Sequence, residues 1–553
     1  MSDAQTNKTS EEHQKGLLGM IERAGNKLPD PVFIFFYLII AMVIISVLTA
    51  WQGWSVPHPT AKNPDGTPQI VEAISILTPS VIQELLVDMP SIFTGFYPLG
   101  YVLVVMLGAG VAERAGLFGT AMRAAVSDVP TAFLTPAVAL VAMMGNLAAD
   151  AAYVVLIPLA GVIYAAAGRH PVAGITAAFA GVSGGFSANL LPGQLDALLF
   201  GVTQATVETI DPAWTMNIAG NWYFIIVMTF VFTPVIWFVT DRVIEPRLGP
   251  WTGGAVAGGS PQEGQEDPSA PLTDGQKRGL WMAGLALLVV SVVWLILTVD
   301  LVHLVTGGAA SMYPLNADGI PDRPLFAESN DPSVLLAQRL VPFFQSLVAG
   351  FMILFVFAGI AYGRAAGTVK DHRDVVSMMS GAMGDMAYYL VLAFFSAYFV
   401  EMFNQSQLGL IFAVNGADAI EAANLPLPIT LGFIVLFAAI LNLFVGSASA
   451  KWALMAPVLV PMLMIIGVSP EMATAAYRVG DGATNIITPL MVYFPLVLVF
   501  ARRWVPEFGI GSLTASMLPY SVWMLITGIL MTIAWVYLGL PLGPGASVGY
   551  ELP

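Results

Sequence analysis

Gly480-Asp-Gly-Ala-Thr-Asn-Ile-Ile-Thr-Pro489 interrupts an apolar stretch of the chain with glycine, polar side chains and a proline. A polar turn, Gly446-Ser-Ala-Ser-Ala-Lys-Trp452, precedes this break. The first half of the chain has both features in the same order. Its turn is Asn146-Leu-Ala-Ala-Asp150, and its break is Gly181-Val-Ser-Gly-Gly-Phe-Ser-Ala-Asn-Leu-Leu-Pro192.

The two sets of interruptions are in register. An interval of 299 residues separates Gly181 from Gly480, and the same interval separates Pro171 from Pro470. Paired interruptions in the two halves of a membrane protein point to the binding site of a transporter. The sequence therefore predicts two repeats, each made of a hairpin with a polar tip and a broken helix that begins at a proline.

The composition is that of a membrane protein. Hydrophobic residues make up 57% of the chain and charged residues 10%, whereas soluble domains carry about 25% charged residues. The mean hydropathy is +0.77. A net charge of -15 argues against a nucleic-acid partner. The absence of cysteine excludes disulfides and thiolate metal sites.

The predicted fold class is an all-α polytopic membrane protein with inverted repeats. A spanning helix needs about 20 apolar residues, and nine stretches meet this requirement. They are 31–51, 92–112, 171–201, 217–241, 279–299, 335–363, 378–404, 470–500 and 513–540. Two further apolar stretches, 131–167 and 428–467, contain the polar tips. We predict that both are re-entrant hairpins, because irregular backbone is tolerated at membrane depth where protein or a water-filled cavity surrounds it.

Basic residues predict the orientation, because Lys and Arg are enriched in cytoplasmic loops. A cytoplasmic N-terminal segment 1–30 places 16 of the 21 Lys and Arg residues on the cytoplasmic side. The linker 242–276 is then cytoplasmic and separates a first half, 31–241, from a second half, 277–540. The tail 541–553 falls on the external side.

Charged residues inside apolar segments are the first candidates for function, because burying a charge in the membrane is costly. We select six such residues as candidates. They are Asp150, Asp196, Asp385, Lys451, Arg478 and Asp481. A structural alternative is an ion pair between Arg478 and Asp481, which are one helical turn apart.

Asparagines near the breaks are candidate cation ligands. Asn189 and Asn485, together with freed carbonyls and with Asp196 or Asp481, offer the oxygens that a hard monovalent cation prefers. Asn146 and Asn442 flank the two polar tips and are further candidates; asparagine also caps helices without binding any ligand. The chain predicts no cofactor other than a Na+ ion, and a proton is the alternative coupling ion.

The second half also contains candidate substrate contacts. The guanidinium of Arg478 suits a carboxylate, and the ammonium of Lys451 is a second cation. Trp452 follows Lys451 directly, so an aromatic and acidic solute would suit this region; simple packing is the alternative for Trp452. The G-x-S-x-G pattern at Gly181 lacks the strand and the histidine that a serine hydrolase needs, and it also fits close helix packing.

The long second-half motif, with Gly185-Phe-Ser-Ala-Asn-Leu-Leu-Pro-Gly-Gln-Leu-Asp196 in the first half, resembles the AbgT family of p-aminobenzoyl-glutamate transporters. The resemblance implies nine transmembrane helices, two re-entrant hairpins and a homodimer in the bacterial inner membrane. The family's site residues match Asp196, Asn442, Ser449, Trp452, Pro470, Arg478, Asp481 and Pro489.

We therefore expect an ion-coupled secondary transporter, not an enzyme. The resemblance implies p-aminobenzoyl-glutamate or sulfonamide antimetabolites as substrates. Alternatives are a dicarboxylate or other organic-anion carrier of the same architecture, a passive channel and, more distantly, an intramembrane enzyme. Import and export both remain open, as do Na+ and H+.

Overall fold

The computed structural model describes residues 31–65, 67–126, 129–148, 151–208, 210–251, 271–306, 310–315, 321–327, 339–444, 447–488, 491 and 493–552. These residues are mostly α-helical, as the composition predicts. They also contain a two-stranded antiparallel hairpin, β1 (Ser55–Lys62) and β2 (Pro68–Glu72). The predicted segment 1–30 and most of the linker 242–276 lie outside the described residues.

The first half contains ten helices in the described residues. They are α1 (Pro31–Gln52), α2 (Pro79–Val87), α3 (Met89–Thr94), α4 (Tyr97–Arg114), α5 (Leu117–Val126), α6 (Leu134–Met144), α7 (Ala151–Ala166), α8 (Pro171–Phe179), α9 (Gln194–Val207) and α10 (Trp222–Val239). A π-helical turn, Ala180–Gly184, extends α8, and α10 continues through further turns to Leu248.

The second half contains twelve helices in the described residues. They are α11 (Asp274–Thr298), α12 (Leu301–Val305), α13 (Val341–Gln345), α14 (Leu347–Ala366), α15 (His372–Asp385), α16 (Ala387–Gln405), α17 (Leu408–Ala422), α18 (Leu427–Asn442), α19 (Ala448–Ile465), α20 (Pro470–Asn485), α21 (Phe494–Arg502) and α22 (Ile510–Leu538). The order of α6 to α10 matches that of α18 to α22: two arms, a broken helix and a long helix.

Seven described helices are long and apolar enough to cross a membrane, and the count is eight if the bent pair α4–α5 forms one span. One of the seven is α19, which the sequence assigns to the hairpin 428–467. The spans 171–201 and 470–500 each divide into two short helices. The helical membrane fold is thus confirmed, whereas nine spans with two hairpins stay a prediction.

Proline starts the helices where the sequence places it. Pro31, Pro171 and Pro470 are the first residues of α1, α8 and α20. The preceding side chains cap two of these helices, since His170 accepts a hydrogen bond from the Val172 N–H and Ser469 accepts one from Met472. These caps satisfy backbone donors that the first helical turn leaves free.

Glycines set the distances between the helices around the breaks. A Cβ added at Gly181 would lie 2.5 Å from the Ala142 Cβ on α6. A Cβ at the equivalent Gly480 would overlap the backbone of α18 at the Val435 carbonyl. The close-packing interpretation of the first glycine motif is therefore correct, and the 299-residue register reproduces one helix contact in both halves.

The two breaks meet each other. A Cβ added at Gly482 on α20 would lie 2.7 Å from the carbonyl oxygen of Gly184, so both broken helices contribute to one central region. Away from it, large apolar side chains on α1, α11 and α22 are exposed, including Phe36, Trp281 and Leu530. Such surfaces suit contact with lipid.

Candidate functional site

The central region contains a buried ion pair between α19 and α20. The Lys451 ammonium pairs with the Asp481 carboxylate, and each side chain is only 1% exposed. Lys451 also donates a hydrogen bond to the Asn442 side-chain oxygen on α18. The amide of Asn442 in turn donates to the Asp481 carbonyl at 2.6 Å and to the Thr484 hydroxyl at 3.0 Å. Asn442 therefore holds α18, α19 and α20 together.

A second buried ion pair joins the two halves. Arg478 on α20 pairs with Asp196 in the first turn of α9. The second carboxylate oxygen of Asp196 accepts a hydrogen bond from the Gly193 N–H at 2.7 Å, so helix capping orients this side chain. The suggested local pair between Arg478 and Asp481 is wrong, because each of them pairs with a residue on another helix.

Trp452 is fully buried beside these charges. Its indole N–H donates to the Thr203 hydroxyl at 2.9 Å, and its ring lies 4.6 Å from that of Tyr477. The Tyr477 hydroxyl donates to the Ala448 carbonyl at 2.7 Å. Trp452 is therefore a packed and hydrogen-bonded residue in this conformation, as the packing alternative predicts.

Some polar side chains in the region have donor or acceptor atoms without a hydrogen-bond partner among the described residues. Arg478 has no hydrogen-bond partner at Nε or at Nη1 within the described part of the chain. The same holds for the Asn485 side-chain oxygen and the Ser183 hydroxyl. Asn485 also approaches the Ser183 carbonyl through its amide at 3.5 Å. Free donors on an arginine suit an anion, and free oxygens at a helix break suit a cation.

The other predicted residues are distributed as follows. Asn189 is buried, and its side-chain oxygen accepts a hydrogen bond from the Leu190 N–H. Asn146 donates to the Met143 carbonyl at 3.0 Å, which is a local helix-end contact. The Ser449 hydroxyl lies 3.1 Å from the Ser447 hydroxyl at the start of α19.

The Asp385 side chain is 64% exposed and pairs with Arg114 at 2.5 Å, so it lies apart from the buried charges around Lys451 and Arg478. Asp150 and Pro489 lie outside the described residues.

Two small cavities adjoin the site. One is lined by Ser449, Tyr389 and apolar residues of α9 and α16. The other is lined by Asp196, Arg478 and Glu471, among others. Each has space for about one water molecule. The described residues contain no group of three or more His, Cys, Asp or Glu side chains that could hold a metal ion.

The sequence missed four buried residues here, namely Thr203, Tyr477, Thr484 and Glu471. Thr203, Tyr477 and Thr484 are uncharged, and nothing in their local sequence separates them from packing residues. Glu471 directly follows Pro470, where an acidic residue is normal for a first helical turn. The burial of Glu471 therefore becomes evident only in the tertiary structure.

Two broken helices that meet at a buried set of paired charges, inside a helical membrane fold, are the arrangement of a membrane transporter. The comparisons with known proteins agree. The model of the AbgT putative transporter family matches residues 16–550. The chain belongs to this family.

Relatives cover nearly the whole chain. The p-aminobenzoyl-glutamate transport protein of Escherichia coli (strain K12) is 34% identical over 530 residues, which is 96% of each chain. The crystal structure of the Alcanivorax borkumensis YdaH transporter matches with a TM-score of 0.79 and 39% identity, covering 93% of this chain and all of that one. Neisseria gonorrhoeae MtrF, from a class of antimetabolite efflux pumps, matches with a TM-score of 0.83 and 37% identity, covering 96% and 100%.

Proposed function

We propose that this protein is an ion-gradient-coupled secondary transporter of aromatic anions such as p-aminobenzoyl-glutamate, or an exporter of sulfonamide antimetabolites. The observation that carries the proposal is the pair of buried salt bridges where the two broken helices meet. Relatives that transport p-aminobenzoyl-glutamate or export antimetabolites support the substrate class.

The substrate contact follows from the spare donors of Arg478. Both two-pronged edges of a guanidinium include Nη2, which pairs with Asp196, so a substrate carboxylate would meet the second Nη2 hydrogen together with the free Nε or Nη1. Lys451 is 1% exposed and is held by Asp481 and Asn442, so we expect a substrate carboxylate to reach it by replacing that of Asp481. The cavities admit about one water molecule, so substrate entry requires the surrounding helices to separate.

Coupling follows from charge balance in the buried region. When a substrate carboxylate takes over Lys451 or Arg478, the released Asp481 or Asp196 becomes an uncompensated buried charge. Such a charge costs several kcal/mol, and binding H+ or Na+ removes that cost. The free oxygens of Asn485 and Ser183 near the break could complete a Na+ shell. A cation that binds only with the substrate is coupled to its movement.

Purified protein in proteoliposomes tests the proposal. Labelled p-aminobenzoyl-glutamate should accumulate against its gradient when a Na+ or an H+ gradient is imposed alone. Asp481→Asn should abolish accumulation and leave some substrate exchange. Asp385→Asn, which alters the exposed pair with Arg114, is the control and should behave as wild type. Flux without saturation, or without any response to either gradient, would refute the proposal and indicate a channel.

A second candidate is a carrier of organic anions without an aromatic ring. It is favoured by the complete burial of Trp452, which leaves two basic residues as the evident recognition groups. A simple dicarboxylate should then compete with labelled p-aminobenzoyl-glutamate as effectively as the unlabelled compound does. Failure to compete would support the aromatic substrate.

The cellular arrangement is also part of the proposal. We place the protein in the bacterial inner membrane as a homodimer with a cytoplasmic N-terminus and an external C-terminus. The absence of cysteine in the chain permits single-cysteine labelling. A cysteine at Arg169 should react only from the cytoplasmic side, and a cysteine in the 541–553 tail only from outside. The reverse pattern would contradict this topology.

A further inference from the structure

Glu471 is a buried acid that neither salt bridge uses. It occupies the second position of α20, and only 3% of its surface is exposed. Its backbone carbonyl accepts a hydrogen bond from the Asn221 amide at 2.8 Å. Its side chain packs so closely on Gly220 that a Cβ there would lie 3.1 Å from the Glu471 Cγ. Both contacts hold Glu471 against the connection between α9 and α10.

The carboxylate of Glu471 forms neither of the two buried salt bridges of this region. Its Oε2 is fully buried and has no hydrogen-bond partner within the part of the chain that the structure describes. Lys451 and Arg478 are already neutralised by Asp481 and Asp196. An ionised Glu471 would thus add one uncompensated buried charge, which is strongly unfavourable.

Glu471 shares its pocket with the second salt bridge. The small cavity beside Arg478 is lined by both members of the Arg478–Asp196 pair, by Thr474 and by Glu471. Residues 471, 474 and 478 follow helical spacing and so lie along one face of α20. Space for about one water molecule is too little for the aromatic substrate and suits a bare cation, a proton carrier or water.

The other titratable groups near this pocket have partners of their own. The charged residues among its lining are Asp196 from α9 and Arg478 from α20 itself, next to the uncharged Asn217 and Asn221 of the connection. Asp211 on the same connection accepts a hydrogen bond from the Tyr550 hydroxyl at 3.1 Å.

We infer that Glu471 binds the coupling cation, H+ or Na+, as a carboxylate in series with Asp196. The inference rests on the proposed function and adds a second acid to its coupling path. A helix N-terminus stabilises an acid through its dipole, which accounts for an ionised Glu471 at a surface. It does not account for a fully buried oxygen that has no partner among the described residues and that lines the same small cavity as an arginine with two free donors.

The test separates coupling from transport. Glu471→Gln keeps the shape of the side chain and cannot be charged, so it mimics the neutralised acid. In proteoliposomes it should retain exchange of labelled p-aminobenzoyl-glutamate within about twofold of wild type and lose at least about tenfold of its gradient-driven accumulation. Glu208→Gln changes an exposed acid on the adjoining connection and should leave both activities unchanged.

The gradients identify the ion. Loss of the response to an imposed pH gradient assigns H+ to Glu471, and loss of the response to Na+ at constant pH assigns Na+. Normal accumulation by a folded Glu471→Gln, or equal loss of exchange and accumulation, would overturn the inference. If Glu471→Gln does not fold, Glu471→Asp decides: an altered ion dependence supports the inference, and an unaltered one overturns it. A wild type that does not transport would instead contradict the proposed function.

Discussion

Replacing Lys451 by methionine tests whether the Lys451–Asp481 pair stabilises the fold. Both side chains are 1% exposed, so the substitution leaves Asp481 buried without a cation. It also removes the donor to the Asn442 side-chain oxygen. Breaking a buried pair by removing one partner costs about 3–5 kcal/mol. We expect Lys451→Met to lower the free energy of unfolding by that amount.

The double variant gives the sharper result. Lys451→Met with Asp481→Asn removes both charges, so the desolvation cost of an unpaired ion disappears. An unmade hydrogen bond or two remains, at about 1–3 kcal/mol. The double variant should therefore be more stable than Lys451→Met alone. This order is opposite to the one expected for two independent losses.

SDS titration of the purified protein in mixed micelles measures these differences. Arg114→Met is the matched control, because Arg114 and Asp385 form a pair with side chains that are 39% and 64% exposed. Exposed pairs contribute about 0–1 kcal/mol. A Lys451→Met variant as stable as Arg114→Met, or a double variant less stable than Lys451→Met, would refute the assignment of a charge-balanced buried core.

Two further predictions concern packing and substrate recognition. Gly181→Ala and Gly480→Ala should each destabilise the protein by about 1–3 kcal/mol in the same titration, because the added methyl meets backbone or a side chain of the neighbouring arm. Gly284→Ala is the control and should not destabilise the protein, because open space surrounds Gly284. Arg478→Lys should raise the half-saturation concentration of transport by about 10- to 100-fold, since it loses a charged two-pronged hydrogen bond. The exposed Arg278→Lys is its control, and unchanged transport by Arg478→Lys would remove Arg478 from the substrate contact.

The positions of the helix starts and breaks could be predicted from the sequence. Pro171 and Pro470 begin helices because proline lacks an N–H that the first turn would leave free. Gly181 and Gly480 mark equivalent contacts because only glycine permits two helix backbones to approach so closely. The proline effect is local, and the glycine contacts recur at the same interval in both halves. Both can therefore be recognised from the sequence alone.

The number of membrane-spanning segments is harder to predict from the sequence. Length and apolarity select α19 as a possible span and reject the short halves of the broken helices. Hydropathy measures the composition of a segment, and a buried hairpin arm has the same composition as a spanning helix. The surrounding helices, not the segment itself, distinguish the two.

The sequence by itself determined that this chain is a helical membrane protein with two broken repeats and charged residues within them. Only the tertiary structure decided that Lys451 pairs with Asp481 and that Arg478 pairs with Asp196. It also left the Oε2 atom of Glu471 buried with no hydrogen-bond partner among the described residues. The physical reason is the distance along the chain over which each effect acts. Proline and glycine act on the backbone at their own positions, whereas a buried charge pairs with whichever group the folded chain brings close to it. Arg478 and Asp196 are 282 residues apart.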